Sequence, residues 1–85
     1  MYDSIRETRA RKNGFYSIVL EIPENIYLNF YEEFSDSAAK EMLCKYLNYR
    51  QDDAVPENVS LEHIADDRII RVYADLHYLG NKKAE

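Results

Sequence analysis

The chain is 85 residues long, 46% hydrophobic and 32% charged, with a formal net charge of −5. That length holds one core, and that mixture reads as globular rather than disordered. A single cysteine excludes an internal disulfide and any multi-thiolate metal centre within one chain.

The distribution of charge says more than its total. Residues 1–14 carry Arg6, Arg9, Arg11 and Lys12 against Asp3 and Glu7, a net +2. Residues 15–67 carry three bases against twelve acids, a net −9, and residues 68–85 return to +2. An acidic body repels nucleic acid and favours a basic partner surface, although a solvated acidic exterior that keeps the protein soluble explains it as well. No apolar run of about 18 residues is present, so nothing in the sequence reads as a membrane span. The first residues lack a secretory apolar region, and Asp3 and Glu7 are foreign to a mitochondrial presequence, so a cytoplasmic site is the expectation. Asn58-Val59-Ser60 matches a glycosylation sequon, which has no use without secretion.

In chain order, residues 1–14 read as a basic arm or a short peripheral helix, stopped by Asn13-Gly14. Residues 15–22 alternate, with Tyr16, Ile18, Leu20 and Ile22 on one face and Ser17, Val19 and Glu21 on the other: a strand. Pro23 ends it and suits the first turn of a helix. Residues 24–50 then take a helical period. Ile26, Tyr27, Phe30, Tyr31 and Phe34 form one stripe, and Ala39, Met42, Leu43, Tyr46 and Leu47 form another. Ser35-Asp36-Ser37 supplies capping residues between them, so two helices are expected, with Glu41 and Lys45 as an i, i+4 ion pair on the second. Residues 51–57 read as a polar loop.

Residues 59–79 admit two readings. As a helix, Ser60 caps and Gly80 terminates a single apolar stripe. As a hairpin, strands 59–65 and 69–79 flank a turn at Asp66-Asp67, and the second strand alternates Ile70, Val72, Ala74, Leu76 and Tyr78 against polar neighbours. The density of Ile, Val and Tyr favours the hairpin, and the strand at 15–22 needs partners for its backbone groups. The expected architecture is therefore α+β: a small antiparallel sheet of strand 15–22 and hairpin 59–79, covered on one face by a helical pair at 24–50. Residues 15–80 form the globular domain and 81–85 a tail.

Candidate chemistry is sparse. Cys44 with His63 or His77 is the one conceivable nucleophile–base pair, but Cys44 neighbours Leu43 and Leu47 on a helix, where a thiol behaves as a small hydrophobe. His63 with Asp66 and Asp67, or Asp75 with His77, gives at most two ligands to a metal. The acid pairs Glu32-Glu33, Asp52-Asp53 and Asp66-Asp67 are adjacent, so their side chains diverge, unlike an acid/base pair. Gly14 and Gly80 stand singly, without a phosphate-cradling loop. No catalytic, cofactor or metal residue is assigned. Tyrosine, with an apolar body and a polar tip, suits interfaces as well as core edges. The expected partner-binding set is Tyr27, Tyr31, Glu32, Glu33, Asp36 and Tyr49.

Residues 18–47, IVLEIPENIYLNFYEEFSDSAAKEMLCKYL, follow a basic arm with a strand and two helices. In outline this resembles the ribbon-helix-helix DNA-binding proteins. The resemblance implies a dimer formed through the strand, with Ser17, Val19 and Glu21 entering the major groove. That set holds no Arg, Lys, Asn or Gln, and an acid meets phosphate unfavourably.

The function expected is that of a non-enzymatic acidic binding protein: an inhibitor or modulator of a nucleic-acid-handling protein, docked on its basic surface. Small inhibitors encoded by mobile elements or phages share this size and charge. The alternative is the dimeric DNA-binding transcriptional regulator that the resemblance implies. A homodimer is compatible with the strand edges and the tyrosines.

Overall fold

The computed structural model describes residues 4–12 and 15–78. Strands β1 (Arg6–Lys12) and β2 (Phe15–Pro23) lead into a short helix α1 (Glu24–Leu28) and a long helix α2 (Asp36–Tyr49). Strands β3 (Val55–Ile64) and β4 (Ile69–His77) follow, joined by a 3-10 turn at Ala65–Asp67. The sheet order is β1-β2-β4-β3, and every neighbouring pair is antiparallel. The helices thus carry the chain from central β2 to the edge strand β3, and β4 returns to fill the gap between them.

Alternation builds the core. Ile18, Leu20 and Ile22 on β2 and Ile70, Val72, Ala74 and Leu76 on β4 face one side and are buried. Helix α2 covers that side with Ala39, Met42, Leu43, Tyr46 and Leu47, and Tyr27 of α1 closes one end. A fully buried Leu or Ile is worth about 1.5–3 kcal/mol over its exposed state, so this double layer is the main stabilising feature. Ser35 caps α2 by accepting the Ala38 N–H at 3.1 Å, as its place in the capping cluster suggests. Glu41 and Lys45 approach to 3.7 Å on the exposed side of the helix. The expected α+β architecture is present, and residues 55–77 form a hairpin rather than a helix.

Several local expectations are overturned. Residues 6–12 are neither an arm nor a helix but a strand paired along its length to β2, from Arg6 opposite Glu21 to Lys12 opposite Phe15. β2 is consequently paired on both edges, by β1 and by β4. It has no free edge for the intermolecular ribbon that the ribbon-helix-helix resemblance implies. Helix α1 ends at Leu28, so Phe30 and Phe34 leave the helical stripe and stay exposed, at 40% and 41%. β3 starts at Val55 and takes in the last three residues of the expected loop 51–57, including Pro56 at the sheet edge. Cys44 is exposed, not core filling. It lies one residue, about 100°, round the helix from Leu43, on the row of exposed Lys40 and Asn48. The Asn13-Gly14 break and the tail 81–85 lie outside the described residues.

Candidate protein-docking surface

The segment from Leu28 to Asp36 joins the two helices and carries most of the expected partner-binding residues. Its shape is set by Tyr27, whose ring is buried and whose hydroxyl donates to the Glu33 carbonyl at 2.6 Å. Burial also pushes that hydroxyl above its ordinary pKa. Tyr31 and Phe34 flank the Tyr27 ring, each with centroids 5.4 Å away. Phe34 stacks in turn on His63 of β3 at 4.2 Å, and His63 Nε2 meets the Glu24 carboxylate. A layered aromatic stack therefore holds the connection against the sheet edge, with part of it open to solvent.

That arrangement redistributes the expected site. Tyr27 is a core residue and cannot touch a partner; Tyr31 is half-buried against the core. Glu32, Glu33 and Asp36 are exposed on the same connection. Tyr49 is exposed at 54%, but at the far end of α2, and Tyr46, three residues before it, is buried. The residues missed are Leu28, at 46% exposure, with Phe30 and Phe34, which the helical period assigned to the core. The connection thus carries three large exposed apolar side chains and three exposed acids within nine residues. Asp36 has a structural duty as well, because its carboxylate accepts the Leu61 N–H of β3 at 3.1 Å.

A second cluster, unread in the sequence, lies under the opposite edge. Glu7 and Arg9 of β1 point towards the helical layer. The Tyr46 hydroxyl donates to Glu7 Oε1 at 2.6 Å, and Arg9 Nε donates to Glu7 Oε2 at 2.8 Å. Arg9 also donates to Asp52 at 3.0 Å and to the Tyr78 hydroxyl at 2.7 Å. Burial, reinforced by the Glu7 carboxylate, pushes the Tyr46 hydroxyl up to about 12. At Asp52 burial alone would raise the pKa. The Ala54 N–H and the Arg9 and Tyr78 donors outweigh it and hold the carboxyl below its usual value. Every charge here is answered by another, so the cluster reads as a fastening between β1, α2 and the 51–54 turn rather than as reactive machinery.

Among the described residues no group of three or more His, Cys, Asp or Glu is placed to hold a metal ion. Asp75 accepts from Asn58 at 3.0 Å, and His63 is engaged by Glu24 and Phe34. No described helix is long and apolar enough to cross a membrane. No protein-family model matches the chain, and neither does any curated protein or solved structure.

Proposed function

We propose that this protein is a non-enzymatic binding protein that docks through the Leu28–Asp36 connection onto a basic surface of a protein that handles nucleic acid, and so inhibits or modulates it. The supporting observation is the exposure of Leu28, Phe30 and Phe34 beside Glu32, Glu33 and Asp36. Apolar anchors supply most of the affinity in such contacts, while surrounding acids steer the approach to Lys- and Arg-rich surfaces and reject acidic ones. A groove that ordinarily takes phosphate offers that complement, and the −9 balance of residues 15–67 has the matching sign.

The test is affinity capture from the native host at low and high salt, followed by calorimetry with the recovered partner. The expected partner is basic. Reversing Glu32 and Glu33 to Lys should weaken binding about tenfold or more, chiefly at low salt. Phe34→Ala should cost about 1–3 kcal/mol at any salt concentration. Recovery of only acidic or neutral proteins at low salt would sink the reading.

A further inference from the structure

The two edges of the sheet are built differently. β3 is closed to further pairing in three ways. Pro56 offers no N–H, the register slips between Glu57 and Ser60 where Asn58 sits at φ 55°, and Asp36 takes the Leu61 N–H. Among the described residues β1, at the other edge, has none of these devices. It runs seven residues, RETRARK, without proline, glycine or a slip against β2. Its one defence is charge, four bases against Glu7, a net +3. Charge of one sign deters a like-charged strand and attracts an opposite one. The strand is also held in place: Glu7 and Arg9 tie it to Tyr46, Asp52 and Tyr78, so little ordering remains to be done on binding.

We propose that the outer edge of β1 is a strand-addition site for an extended acidic segment of another protein. Main-chain hydrogen bonds continue the sheet, and exposed Arg6 on one face and Arg11 on the other select carboxylates on either side of the added strand. A second copy of β1 is the wrong occupant, since it sets +3 against +3. The acidic body does not forbid an acidic guest, because at physiological salt its field fades within about 8 Å while the strand's own charges lie at contact. This edge is distinct from the Leu28–Asp36 surface, so the two readings fail separately.

The probe is a short synthetic peptide of glutamate pairs separated by single valines, which places carboxylates on both faces of the added strand, titrated into isotope-labelled full chain and followed by amide NMR. Saturable shifts confined to β1 and its neighbours are expected. Two further peptides carry N-methyl groups at alternate residues, in either phase. One phase should abolish binding and the other leave it intact, since only one row of peptide N–H groups faces the edge. Arg6→Glu with Arg11→Glu should weaken binding about tenfold or more. Glu32→Lys with Glu33→Lys should leave it in place. Absence of binding, equal binding of a lysine–valine peptide, equal binding of both methylated phases, or a peptide-displaced homodimer in sedimentation would each overturn the proposal.

Discussion

Tyr46 shows how one hydroxyl can couple the edge strand to the helix. It is buried at 2% exposure and donates to Glu7, so Tyr46→Phe leaves that carboxylate short of a partner. The loss should be about 1–2 kcal/mol at neutral pH, read from urea denaturation. The same bond has an alkaline signature. The folded-state pKa, near 12, lies above the unfolded value near 10, so the contribution is whole below pH 10 and lost as pH rises towards 12. Between pH 9 and pH 11 the native protein should therefore lose about 1.4 kcal/mol more than Tyr46→Phe, and equal losses would refute the assignment. Exposure separates two other residues that the helical period treats alike. Leu43→Ala, at 0% exposure, should cost about 2–5 kcal/mol. Phe34→Ala, at 41%, should cost less than about 1.5 kcal/mol in stability, because its ring leaves a surface stack rather than a cavity.

At the scale of elements, the start of α2 serves two structures at once. Ser35→Ala removes the cap and should lower stability by about 1 kcal/mol. Asp36→Ala keeps that cap but removes the acceptor for Leu61, so it should speed hydrogen exchange at that amide, which Ser35→Ala should not. What could be read in the sequence follows from what each element buries. β2 and β4 bury one clean face each, so their alternation is plain in Ile18, Leu20, Ile22 and in Ile70, Val72, Ala74, Leu76. β1 hides because its inward residues Glu7 and Arg9 are charged, a device that suits an edge strand but imitates a solvated arm. The exposed aromatics hide for the opposite reason. Phe30 and Phe34 keep the helical spacing after α1 has ended, and no Gly or Pro marks the stop at Leu28. Tyr27, whose hydroxyl fixes that connection, belongs by its spacing to the apolar stripe and by its type to an interface; its ring fills the core because its polar tip finds a backbone carbonyl.

At the scale of the molecule, charge is sorted across the sheet: a basic strand at one edge and an acidic connection beside the other. Association through either should depend on ionic strength in opposite senses of partner charge, and stopped-flow rates with basic and acidic partners should both fall as salt rises. The strand order has a different consequence, one that concerns time. Among the described strands β4 comes last in chain order, yet it occupies the centre, bonded to β2 on one side and β3 on the other. Until it emerges from the ribosome, the nascent chain holds a hairpin of β1 and β2 and a stranded β3, with no continuous surface for α2 to cover. Without β4 the buried face of β2 lacks the neighbour it pairs with, so protease sensitivity is expected until β4 is in place. Chains stopped before Ile69 should show no cooperative unfolding transition by circular dichroism, whereas chains stopped just after Tyr78 should. β4 is the keystone of the described sheet: a change that slows its insertion should slow the closing of both neighbouring strands onto it.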